Sequence, residues 1–167
     1  MKILRMPNQL ALKTTYMKPD VFTTILVRDL NKLKAELNAY FNESSIWQVL
    51  PGTTNSAGNL ALHLVGNLNH YIGHVLGKSG YQRQRDKEFS LKDVPRKEII
   101  LAIDYTADLV KRVMDELSEA DLEQPFPEKY GDEIVLTGYF LVHLCSHAAY
   151  HIGQVNYHRR LLHYIPA

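Results

Sequence analysis

Apolar residues recur at helical spacing over four stretches of this chain, and no stretch of comparable length alternates as a strand does. The first stretch runs from about Asp20 to Phe41, where Phe22, Leu26, Leu30, Leu33, Leu37 and Tyr40 return every three or four residues as one stripe. Pro51-Gly52 then breaks the chain within the turn-rich stretch Pro51 to Ser56. Ser56 reads as the N-cap of a second helix ending near Gly77 to Gly80, where glycine can take the left-handed capping conformation. A polar loop is expected from Lys78 to Val94. Pro95 suits the first position of a third helix, with Ile99, Ile103, Leu109, Val113 and Leu117 on its buried face. Pro125, Pro127 and Gly131 mark another loop, Ile134 to Leu136 reads as a short extended segment, and Thr137 as the cap of a fourth helix reaching about Leu162. The pattern predicts an all-α chain, a four-helix bundle with its connection topology left open.

Composition narrows the class. The length of 167 residues suits one domain with one core, and 46% apolar residues can fill it. Charge is nearly balanced, 19 basic against 18 acidic residues, which argues against a nucleic-acid footprint or a basic membrane-binding face. No run of about 18 apolar residues suggests a transmembrane helix, and Met1 to Leu12 lacks the apolar core of a signal peptide. A lone cysteine, Cys145, excludes an internal disulfide framework and fits a reducing, cytoplasmic setting. About 160° round the helix from His147, Cys145 is expected to pack as a small apolar residue rather than act as a nucleophile.

Histidines carry the candidate chemistry. On the second helix, His63, His70 and His74 fall within roughly 20° of one line. On the fourth, His143, His147 and His151 are four residues apart, and His158 continues that side. A lone helical histidine is more often a surface or core hydrogen-bonding residue than a ligand. Two stripes on two helices of one bundle change that balance, because both can face the interior. Neither helix carries an Asp or Glu between Ser56 and Lys78 or between Thr137 and Leu162, which excludes a carboxylate di-iron site on them. His147 and His151 have the spacing of the zincin pair, but Ala148 stands where the general-base glutamate would be, which disfavours a protease. A neutral nitrogen-only site remains, suited to a divalent ion such as zinc or nickel. Spacing alone does not choose among the histidines. Trp47 is expected to plug a bundle end, and Arg83, Arg85 and Asp86 to lie in a solvated loop that could also receive an anionic substrate.

The segment His63-Leu64-Val65-Gly66-Asn67-Leu68-Asn69-His70-Tyr71-Ile72 resembles the second-helix signature of the DinB-like (YfiT-like) superfamily of metalloenzymes. Arg85-Asp86-Lys87-Glu88-Phe89 resembles a loop of one of its branches. His147-Ala148-Ala149-Tyr150-His151-Ile152-Gly153-Gln154 is similar to its His-x-x-x-His-x-Gly-Gln motif. The resemblance implies a single DinB-like four-helix-bundle domain over residues 1–167, with a divalent metal held by His63, His147 and His151. His70 and His143 are then candidate cavity-lining residues, and Gln154 a hydrogen-bond partner behind the ligands. His70 lies roughly 10 Å along the axis from His63, too far for both to bind one ion. The family further implies a homodimer and a small-molecule substrate, with thiol-dependent (bacillithiol-type) S-transferases or related transferases and hydrolases as the activity class. No general base stands out, so the catalytic residues are unassigned. The competing reading is a non-catalytic metal-binding stress-response protein.

Overall fold

The computed structural model describes residues 17–164, the side chains through residue 162. The Met1 to Leu12 segment therefore lies outside the described residues. Four long helices form the frame: α1 (Pro19–Asn38), α3 (Ala57–Leu68), α5 (Arg96–Glu116) and α7 (Thr137–Tyr164). Short helices α2 (Glu43–Ile46), α4 (Arg85–Ser90) and α6 (Glu119–Leu122) sit in the connections. Among the described residues the nearest approach to a strand is a pair of isolated bridges, Pro125 with Leu136 and Tyr130 with Glu133. The expected extended segment at Ile134 to Leu136 is reduced to the edge of that turn.

The stripe of α1 is buried from Phe22 to Leu37, and Tyr40 is buried beyond its end. Helices α1 and α3 each pack against both α5 and α7, so they occupy opposite corners of the bundle. The chain therefore crosses a diagonal between α1 and α3 and again between α5 and α7, while α3 and α5 are neighbours. Arg96 at the start of α5 donates to the carbonyls of Asn38 and Tyr40, satisfying acceptors that the end of α1 leaves open.

Helix α3 begins as its sequence predicts, with Ser56 Oγ accepting the Asn59 N–H. It does not continue as a regular α-helix. Asn69–Leu76 winds as a π-helix, with the Asn69 amide donating to Val65 O at 2.8 Å and to Thr106 Oγ1 on α5 at 2.7 Å. Gly73 and Gly77 let this wider coil lie against α5, where a Cβ would meet Leu109 at 2.6 Å and Val113 at 2.4 Å. Lys78 (φ 51°) and Gly80 (φ 75°) take left-handed conformations after it, whereas Gly77 does not. Thr137 is the first residue of α7 and not its cap: its N–H and hydroxyl both donate to Gln124 O, and Phe140 N–H donates to Leu136 O. Trp47 is buried beside Gly58 at one end of the bundle.

The stretch from Lys78 to Val94 departs from expectation. Its middle is helix α4, anchored to α3 by the Asn59 amide, which donates to Glu88 O at 3.0 Å and Leu91 O at 2.9 Å.

His158 belongs to the scaffold. It is buried, with Nε2 donating to Gln48 O at 2.9 Å and Nδ1 accepting from the Tyr40 hydroxyl at 2.7 Å. Burial pushes its pKa down, against the raising effect of the Gln48 carbonyl. The native state thus keeps His158 neutral while the unfolded chain protonates it near 6.5. Stability from this group is complete above that pH and is lost as pH falls through the depressed native value, by at most about 1.4 kcal/mol per pH unit. The urea midpoint of metal-free protein should fall between about pH 7 and pH 5, less steeply in His158→Gln. Equal slopes in the two proteins would remove His158 as a cause.

Candidate metal centre

Helices α3 and α7 run antiparallel across the interior, since His63 meets His147 and His151 while Tyr71 meets Phe140. This brings three imidazoles to one point. His147 Nε2 lies 3.2 Å from His63 Nε2 and 3.1 Å from His151 Nε2. Two nitrogens each about 2.0–2.1 Å from a tetrahedral ion are separated by about 3.3–3.4 Å, close to both of these separations, and the ligand atoms of all three residues lie within 4.8 Å of one another.

Proton placement, assigned from hydrogen-bond partners, strengthens the fit. His63 Nδ1 donates to Glu88 Oε2 at 2.9 Å, which leaves its Nε2 lone pair facing the cluster. His151 Nδ1 donates to Gln154 Oε1 at 2.7 Å, with the same result. A proton on His147 Nε2 could serve only one of these two acceptors. Whichever tautomer His147 adopts, an unshared lone pair remains in the cluster, which is the donor set of a cation site. These three residues could hold a metal ion.

The ionisation behaviour keeps His147 and His151 unprotonated, with their lone pairs available. Burial, followed by the positive charge that His151, His63 and His143 would carry, pushes His147 down to about 3, so it is neutral at any ordinary pH. Burial lowers His151 as well, opposed by its bond to Gln154.

Behind the nitrogens lies a carboxylate that helical periodicity did not predict. Glu88 on α4 is buried, and Arg83 grips it with Nε to Oε1 at 2.7 Å and Nη2 to Oε2 at 2.8 Å. Burial alone would raise the Glu88 carboxyl, but the hydrogen bonds from Arg83 and His63 outweigh it and hold the group below the usual carboxylate range. Arg83 Nη2 is also 3.3 Å from His63 Nδ1; that nitrogen gives its proton to the nearer carboxylate, so the guanidinium is only a neighbour. The expectation of a solvated Arg83 is therefore corrected. A buried ion pair stands behind His63, whereas Arg85 and Asp86 do lie exposed. Gly66 makes room for this arrangement, because a Cβ there would meet Glu88 Oε1 at 2.1 Å. A glycine in the middle of an apolar helix was the available signal that another group approaches closely.

The remaining candidates separate. His70 is not in the cluster; its Nε2 lies 3.1 Å from Glu128 Oε2, and its ring stacks on His74. His143 lies one turn from His147, with ring centroids 5.8 Å apart, and its Nδ1 is 3.4 Å from the Tyr130 hydroxyl. Gln154 is on His151. Phe89 covers His63 with centroids 4.9 Å apart. Cys145 is a buried free thiol pushed up to about 11, first by burial and then by the charge of Asp29, which makes it a packing residue.

The chain is thus a helical bundle with three histidines converging between two of its helices. Residues 14–164 match the family described as "Protein of unknown function (DUF1572)", a DinB-like family, and the chain belongs to it. Among solved structures it is similar to a DinB-like protein from Bacillus cereus, at 17% identity and a TM-score of 0.67, over 89% of this chain and 95% of that one. That likeness concerns the fold. No curated protein matches the chain.

Proposed function

We propose that His63, His147 and His151 bind one divalent cation, zinc or nickel, and that the protein is a metal-dependent enzyme acting on a small molecule. The observation that carries this reading is that His147 Nε2 sits at tetrahedral-edge spacing from the Nε2 atoms of His63 and His151, which Glu88 and Gln154 fix as acceptors. Three protein ligands suit a catalytic site better than a closed structural one, which uses four. That observation favours an enzyme over a non-catalytic stress-response binder. A bound divalent ion would supply the acidity that makes a water or a thiol a nucleophile at neutral pH. This chain's own part is to orient the ligands and exclude bulk water, with Phe89 over His63 and the Glu88–Arg83 pair behind it.

Glu88, the carboxylate beside the cluster, is held by Arg83 and His63, and Cys145 is buried as a neutral thiol, so neither offers a free general base. A substrate that brings its own acidic group needs the least help, so the preferred activity is a thiol-dependent S-transferase using a low-molecular-weight thiol. The test is conjugation of such thiols to electrophiles by metal-loaded, untagged protein. A rate no higher than that of the metal-free protein would rule this activity out.

The same reading includes a cytoplasmic homodimer. No helix of the described chain is long and apolar enough to cross a membrane. The outer face of α7 exposes Tyr139, Val142, Tyr150, Tyr157 and Leu161, and no charged residue interrupts α7 before Arg159. A second copy packing on that face would bury it. Light scattering on the purified chain should read twice the 19.2 kDa chain mass; the monomer mass would remove the dimer.

A further inference from the structure

His63 and His151 each hand their second ring nitrogen to a partner, but His147 does not: its Nδ1 is buried without one among the described residues. Imidazoles that ligate metals nearly always donate that second N–H to a carboxylate, a carbonyl or a water. A complementary defect sits on the facing helix. Asn67 is 6% exposed, and its Oδ1 is buried with no partner. Asn67 follows His63 by one turn on the same side of α3. The antiparallel register places it between the His63–His147 contact and the Tyr71–Phe140 contact, opposite the span of α7 that carries His143 and His147. An amide oxygen accepts and an imidazole N–H donates, so the two unmet needs are of opposite kind on facing walls.

We propose that Asn67 is the positioning residue for His147. Its Oδ1 accepts the His147 Nδ1–H through one bridging water, and so fixes the tautomer that leaves Nε2 as a ligand. The proposal rests on the metal-binding reading above. It gives each of the three ligands its own partner: Glu88 for His63, Gln154 for His151 and Asn67 for His147. Leucine at this position would fill nearly the same volume without an acceptor. Aspartate would keep the acceptor.

The test uses untagged full-length protein, zinc and a chromophoric chelator as competitor, with long-range proton–nitrogen NMR of the histidine rings. Wild type should bind one zinc, and the zinc-loaded His147 ring should carry its proton on Nδ1, protected from solvent exchange. Asn67→Leu should bind zinc about 10–100-fold more weakly and expose that proton to exchange, while Asn67→Asp restores both. Zinc affinity of Asn67→Leu within about twofold of wild type would overturn the assignment. So would a wild-type His147 proton on Nδ1 that exchanges as freely as a solvated one, a readout that does not depend on any variant folding. If the wild type takes up no zinc, the metal-binding reading fails first and this assignment falls with it, an outcome distinct from zinc bound equally by both proteins.

Discussion

Replacing His147 with alanine is expected to abolish stoichiometric binding of a divalent ion. His147 is the member whose Nε2 lies within 3.2 Å of both other Nε2 atoms, so its loss removes the centre of the donor set rather than one arm. Only two nitrogens remain, and no carboxylate or thiol among the described residues is placed to join them: Glu88 is engaged by Arg83 and His63, and Cys145 is a buried neutral thiol. The loss in affinity should exceed the roughly 10–100-fold that removal of an outer hydrogen-bond partner costs. Metal analysis of untagged protein after reconstitution reads this directly. Wild type should retain close to one equivalent and His147→Ala almost none. Equal retention would show that the ion sits elsewhere, for instance on the His70–His74 side of the bundle.

The second large effect falls on Glu88. Its side chain is 6% exposed and holds Arg83 through two bonds and His63 through a third. Glu88→Ala leaves a half-buried guanidinium without its counter-ion and a buried imidazole N–H without an acceptor. Breaking a buried pair by removing one partner costs about 3–5 kcal/mol, and the low end applies because Arg83 is near enough to the surface to turn outward. The expected result is a loss of about 3 kcal/mol in urea denaturation, with metal affinity reduced about 10–100-fold. Glu88→Gln keeps an acceptor oxygen and should fall between the two proteins. A Glu88→Ala protein as stable as wild type and equal to it in metal affinity would mean that the carboxylate neither supports α4 nor orients His63.

What the sequence made legible follows from how information is written in it. Stripes such as Phe22, Leu26, Leu30, Leu33 and Leu37 repeat, and repetition is what marks a helix and its buried side, so the four long helices were accessible. The π-helical run Asn69–Leu76 was not, because its apolar residues keep helical spacing and the widening is tied to a side-chain bond from Asn69 to α5. Glu88 was hidden for the opposite reason. It sits among Arg83, Arg85, Asp86 and Lys87, where charge reads as solvent exposure, and one buried carboxylate in a charged run has no period to betray it. The histidines lay between these cases. Spacing put His63, His70 and His74 on one side of a helix, and only the antiparallel register of α3 against α7 separates the cluster from its neighbours.

That register has a consequence for the life of the molecule. His63 and His147 are 84 residues apart in sequence, one in the first half of the chain and one near its end. An ion shared between them is a removable cross-link closing a long loop, so it restrains the unfolded chain as a disulfide would, but only while the ion stays bound. The turnover of the protein would then follow the cell's supply of that metal, with starved copies opening along this seam and reaching the proteases first.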